Sequence, residues 1–343
     1  MKRLLALLAA LALLMAACGS GSDATSDDAA SDDSASDDSA SDDGGSAETF
    51  KVAIVAPSAS NDLAFSQSMV DAVNSLKDSE NLEIAITDGT FVVDDAAAAL
   101  RGYADDGFDL VIAHGTQFGG PLEEIAKDFP ETAFAWGTSD DNKGAANVSA
   151  YTVRSDEGGY VNGIMAANLS ESKVIGVVGP VPAGDALLYI DGFVNGVAAG
   201  DPSATVNVNY IESFSDVALA AEAAEAHIAN NADVLTGTAQ MVVGATGVAK
   251  SNSVPWFGTQ SNQTSLGEEI VVASQVYHWE VVLVDIIAGV RDGKLGGEVY
   301  TLTLENGGLE IEFNDAFGLD PAIKEAGEAA VAGLKDGSVS TGL

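Results

Sequence analysis

The sequence predicts an α/β protein of two doubly wound, Rossmann-like lobes joined by a hinge. Three observations predict it. Apolar runs of strand length alternate with stretches of helical spacing, the pattern of parallel strands with right-handed crossovers. The alternation runs through once from residue 51 and restarts after residue 154. The chain beyond residue 48 holds roughly 295 residues, enough for two lobes of ordinary domain size.

The first series is read as strands at 51–56, 82–86, 110–113 and 132–136, with helices at 64–76, 94–105 and 122–128. In the first helix Phe65, Met69, Val73 and Leu76 recur on one face, the signature of an amphipathic helix against a sheet. The second series reads as helices at 156–169, 190–199, 217–229 and 244–250, with strands at 174–178, 206–211, 233–236 and 255–258. A strand at 270–274 and a helix at 279–291 follow. Residues 298–313 read as an antiparallel strand pair around the turn signal Asn306-Gly307-Gly308. A helix over 321–335 ends the chain. The first lobe is expected over 48–153, completed by about 264–297. The second is expected over 154–263, completed by 298–343, with crossings near Arg154, Asn262 and Gly297.

Doubly wound sheets bind ligands beyond the carboxyl ends of their strands. Candidate contacts are therefore sought in the loops there. After the first strand stand Asn61, Asp62 and Phe65. After the third stands His114-Gly115-Thr116-Gln117, in which the glycine lets backbone approach a ligand. Thr138 follows the fourth strand. In the second lobe the loop at 212–216 carries Phe214 and Asp216. Gln260, Asn262, Tyr277 and Trp279 follow later strands. Phe65 and Phe214, one per lobe, could sandwich a planar heterocycle across a shared cleft. Each position also has a plain structural reading: a helix cap for Asp62, a packed core ring for Phe65 and Trp279, a satisfied buried histidine for His114.

The N-terminus carries a different message. Lys2 and Arg3 precede an apolar run from Leu4 to Ala17, too short to span a bilayer but right for a secretory signal. It ends at Cys18, the only cysteine, in a context resembling a bacterial lipobox; lipidation at Cys18 is the expectation. Residues 19–47 repeat Ser-Asp-Asp from Ser26, Ser31, Ser36 and Ser41. With no core-forming residue larger than alanine and like charges throughout, this reads as a disordered acidic tether. The formal net charge of -38 disfavours nucleic acid and anionic lipid as partners. Phosphate-loop, nucleophile-elbow and His-Glu-x-x-His signatures are absent from the sequence, and the three histidines lie on separate elements. A non-enzymatic, cofactor-free, metal-free monomer is expected.

Several motifs occur together in order: Asn61-Asp62-x-x-Phe65-x-Gln67, His114-Gly115-x-Gln117-Phe118, Asp156-Glu157-Gly158-Gly159-Tyr160, Asp191-Gly192-Phe193-x-x-Gly196, Ser213-Phe214-x-Asp216 and Asp292-Gly293-Lys294. Together they resemble the basic membrane protein family, a branch of the type 1 periplasmic-binding-protein fold that includes purine nucleoside receptors. The resemblance implies a lipid-anchored substrate-binding protein on the outer face of the cell membrane, working with an ABC permease and ATPase. It also implies a purine nucleoside or nucleobase held between Phe65 and Phe214, with polar contacts from Asn61 and Asp62. Two positions depart from the family pattern. Gln260-Ser261-Asn262 stand where relatives often carry acidic residues for ribose, and no lysine lies near Tyr277. A ligand-sensing lipoprotein and a sugar-binding relative are the alternative readings.

Overall fold

The computed structural model describes residues 48–343. The expected signal sequence, Cys18 and the acidic tether lie outside the described residues.

In the first lobe β1 (Phe50–Val55), β2 (Leu82–Thr87), β3 (Leu110–His114), β4 (Ala133–Gly137) and β5 (Val148–Val153) run parallel in the order β2-β1-β3-β4-β5. The strand pattern explains the layers. In β1 and β3, Val52, Ile54, Leu110 and Ile112 face one side, against Met69 and Val73 of α1 (Phe65–Ser75). Ala53, Val55, Val111 and Ala113 face the other, against Leu100 of α2 (Val93–Asp105) and Leu122 and Ile125 of α3 (Gly119–Asp128). A strand buried on both faces reads as a continuous apolar run, and β1 is one from Val52 onward.

The second lobe repeats the plan. β6 (Val174–Gly179), β7 (Thr205–Tyr210), β8 (Val234–Gly237), β9 (Trp256–Gln260) and β10 (Val271–Tyr277) are parallel in the order β7-β6-β8-β9-β10. α4 (Ser155–Leu169) and α5 (Gly184–Gly200) cover one face, with α9 (Pro321–Lys335) packed on α4. α6 (Val217–Ala229) and α7 (Val242–Ser251) cover the other. α4 and α5 touch backbone to backbone. A Cβ on Gly192 would meet the Asp156 carbonyl oxygen at 2.2 Å, and one on Gly196 the Tyr160 carbonyl oxygen at 2.1 Å. That approach brings the start of α5 beside the start of α4, where the Ser155 hydroxyl donates to the Asp185 carbonyl at 2.6 Å.

The chain passes between lobes three times. The first crossing is at Arg154. The second lies between β10 and α8 (Glu280–Arg291), not near Asn262, because β10 pairs parallel with β9 and keeps residues 264–277 in the second lobe. The third lies between β11 (Val299–Leu302) and β12 (Leu309–Phe313), not near Gly297, because β11 pairs parallel with β5. Residues 298–313 are therefore not an antiparallel pair. The Asn306 turn does form, with the Asn306 side-chain carbonyl accepting from Thr303 and Gly308 amides at 2.9 Å each. It delivers β12 to β10, antiparallel, in the other sheet. Strand spacing and a turn signal look the same whether the second strand folds back or changes lobe. α8 returns to pack on α1, and Phe193 of the second lobe shares one continuous apolar cluster with Val52 of the first.

Candidate functional site

The carboxyl ends of both sheets enclose a cavity of about 260 Å³. That lies just under the roughly 300–1,000 Å³ of sites for drug-sized molecules, a size suited to a small metabolite.

Phe65 and Phe214 both line it. Phe65 is the first residue of α1, and Asp62 fixes it there. The Asp62 carboxylate accepts from the Ala64, Ser66 and Gln67 amides at 2.9, 3.1 and 3.1 Å and from the Ser58 hydroxyl at 2.6 Å. These are the free donors of a helix start, so Asp62 is committed to the loop and does not line the cavity. Asn61 is exposed and also lies off it.

Behind Phe65 stands His114, fully buried. Its ring stacks on Phe65 with centroids 3.9 Å apart and planes 12° apart. Nδ1 lies 2.8 Å from the Tyr151 hydroxyl and Nε2 lies 3.0 Å from the Phe65 carbonyl oxygen. His114 thus backs the platform and does not face the cavity. Burial pushes its imidazole down to about 3, partly opposed by the Phe65 carbonyl. The unfolded chain takes up a proton near 6.5 that the folded chain refuses. Stability should therefore fall by about 1.4 kcal/mol per pH unit as pH drops through that window toward about 3. Ring nitrogen shifts measured by NMR should show His114 neutral at pH 5; a midpoint near 6.5 would contradict this.

Gly115, Thr116, Gln117 and Thr138 line the cavity from the ends of β3 and β4. The backbone is close here: a Cβ on Gly115 would lie 2.8 Å from the Gln117 side-chain oxygen.

The second lobe contributes Phe214, Gln240, Gln260 and Asp185. Asp185 is not one of the sequence candidates, although it follows the loop at the carboxyl end of β6. It sits in the first turn of α5, almost fully buried. Its carboxylate accepts from Thr138 Oγ1 and Gln260 Nε2 at 3.2 Å each, and from the Tyr277 hydroxyl at 3.1 Å. Burial pushes its carboxyl up, offset in part by Gln260, Tyr277 and Thr138. Gln240 follows β8, again in a loop of the right class. Gln240 Oε1 and Gln260 Oε1 are buried acceptors without a protein donor.

Four further expected contacts lie elsewhere. Asp216 caps α6 by accepting from the Leu219 amide at 2.9 Å. Asn262 is exposed and bonds Glu312. Tyr277 is buried behind Asp185. Trp279 is fully buried, its Nε1 donating to Ser68 Oγ at 2.9 Å and its ring set edge-on to His114, Tyr151 and Tyr277. Each has its polar group consumed within the protein. His227, on α6, is buried, with Nε2 3.1 Å from the Val177 carbonyl oxygen.

The lobes meet around the cavity. Besides Thr138–Asp185, the Ser261 hydroxyl donates to the Ala64 carbonyl at 2.8 Å and Gln263 Nε2 to the Leu63 carbonyl at 3.2 Å.

Two lobes with interleaved crossings and a cavity between strand ends define a two-lobed solute-binding protein. Residues 49–339 match the family described as ABC transporter substrate-binding protein, PnrA-like, and the chain belongs to that family. A purine-binding protein of Brucella abortus is 29% identical over 199 residues, covering 58% of this chain and 56% of the relative; the match spans little more than half of that protein. A nucleoside-binding protein of an ABC transporter from Lactococcus lactis is 26% identical over 313 residues, covering 84% of this chain and 88% of the relative. A solved ABC transporter solute-binding protein from Conexibacter woesei superposes with a TM-score of 0.71 at 24% identity, covering 85% of this chain and 98% of that one; this likeness establishes the fold.

Proposed function

We propose that this chain captures a purine nucleoside or nucleobase outside the cell, as the lipid-anchored binding subunit of an ABC importer. The observation that carries the reading is that Phe65 and Phe214, one from each lobe, line a single cavity. Aromatic faces favour a flat ring, and stacking adds about 0.5–1.5 kcal/mol beyond area burial. The polar lining is acceptor-rich: Gln240 Oε1, Gln260 Oε1 and the Asp185 carboxylate. An unpaired buried acceptor costs about 1–3 kcal/mol, so a ligand edge carrying N–H or O–H groups would relieve that cost. Purines offer such an edge, and the names of the Brucella and Lactococcus relatives agree with it. Ligand contacts from both lobes would favour the closed state, which a permease would recognise. Cys18 would tether the protein to the membrane.

A thermal-shift panel of purine bases, nucleosides, hexoses and amino acids tests the reading. At about 100 times the dissociation constant a ligand adds about 2.7 kcal/mol, a rise in Tm of about 5 °C or more. Purines should produce it. A shift from hexoses alone would replace the reading with a sugar-binding one.

A further inference from the structure

We propose that His278, Glu310 and Glu312 form a site for a divalent transition-metal ion, of the zinc class, at the hinge. One donor atom from each of the three lies within 4.8 Å of the others. They converge from two crossings: His278 follows β10 on the second, and β12, carrying both glutamates, follows the third. Glu310 and Glu312 are two residues apart on an edge strand and so share a face. The His278 amide donates to the Gly308 carbonyl at 2.9 Å, which holds the imidazole beside them.

The arrangement of the ring carries the argument. Glu280 Oε1 lies 3.0 Å from His278 Nδ1. A carboxylate there fixes the tautomer with the proton on Nδ1, the outer support typical of metal-binding histidines. In the neutral ring Nε2 then presents a lone pair. It is shielded from solvent and has no hydrogen-bond partner, yet Glu310 Oε2 lies 3.2 Å away. A lone pair and a carboxylate oxygen at that distance repel, and either a proton on Nε2 or a metal ion between them relieves that repulsion. Among the described residues no lysine or arginine pairs with Glu310 or Glu312; Asn262 donates to Glu312. One imidazole and two carboxylates suit zinc or a neighbouring transition metal better than calcium or magnesium, which prefer all-oxygen shells. Bonds of about 2.0–2.2 Å need the donors slightly closer than they stand. Glu310 is more than half exposed and free to make that move.

The ion would join two of the three crossings. His278 adjoins Tyr277, which holds Asp185 in the ligand cavity, and Asn262 lies two residues beyond Gln260. Occupancy should therefore tune closure of the cleft, whatever ligand the cleft takes.

The test uses chelator-stripped full-length protein without organic ligand, so its outcome is independent of the purine reading. Zinc titration by calorimetry should give one equivalent, and cobalt should give the visible bands of a low-symmetry site with nitrogen ligation. His278→Ala and Glu310→Gln should each weaken zinc at least tenfold, with unchanged Tm in chelator, while Glu222→Gln changes nothing. Zinc binding unchanged in His278→Ala would overturn the proposal and assign the ions to the acidic tether or surface. Equal displacement by millimolar magnesium would also overturn it. So would a single proton shared by His278 and Glu310 with no zinc bound at micromolar concentration.

Discussion

Phe214→Ala should weaken purine binding by roughly 30-fold to somewhat over a thousand-fold while leaving the fold nearly intact. The ring is only half-buried and belongs to no core cluster, so its truncation should cost little in folding. With a ligand present, the same ring loses about 1.5–3 kcal/mol of apolar burial and about 0.5–1.5 kcal/mol of stacking. At about 1.4 kcal/mol per tenfold, those losses give the stated range. Calorimetric titration and thermal unfolding on the same preparation read both quantities. A loss of Tm proportional to the loss of affinity would make Phe214 a packing residue and remove one wall of the proposed clamp.

Trp279→Ala should have the opposite profile. The indole is fully buried against His114, Tyr151 and Tyr277, and it ties the second crossing to α1 through Ser68. Large-to-small changes at such sites cost about 3–5 kcal/mol, which lowers Tm by roughly 6–10 °C in a chain of this size. Binding should decline only as far as the folded fraction and the hinge decline. Chemical denaturation gives the stability loss directly. A variant with wild-type stability and abolished binding would return Trp279 to the ligand.

The contrast between these two rings shows where sequence reading stops. Hydrophobic periodicity revealed nearly every strand and helix because each element buries a regular face. The strand at Val148–Val153 carries no sequence expectation because no helix separates it from β4, and the last two strands read as a hairpin because spacing does not encode which sheet a strand joins. The loop positions were legible too: the cavity is lined from loops at strand carboxyl ends, as doubly wound sheets require. Which side chains within those loops face the cavity was not legible. Asp62 and Asp216 are both acidic, near helix starts and in the right loops, yet their oxygens are used on backbone amides. Asp185 sits in an equivalent place and turns inward, because the close α4–α5 contact carries the start of its helix toward Thr138, Gln260 and Tyr277. A single sequence does not carry that distance information.

The departures from the family pattern now have a physical meaning. Gln260 brings one donor to Asp185 and leaves one acceptor free, and Tyr277 supplies a second donor to the same carboxylate. Neutral groups around one buried acid suit a donor-bearing heterocycle edge and leave less provision for ribose hydroxyls, so free bases belong in any ligand panel beside nucleosides.

Proton NMR of a purine in exchange with the protein offers the most direct view of the clamp. Rings stacked above and below a flat ligand shield its edge protons, so the purine H2 and H8 signals should move upfield on binding, and by less with Phe214→Ala. Saturable binding with those signals unmoved would mean that no ring faces the purine, and the two-sided grip at the centre of this account would be wrong.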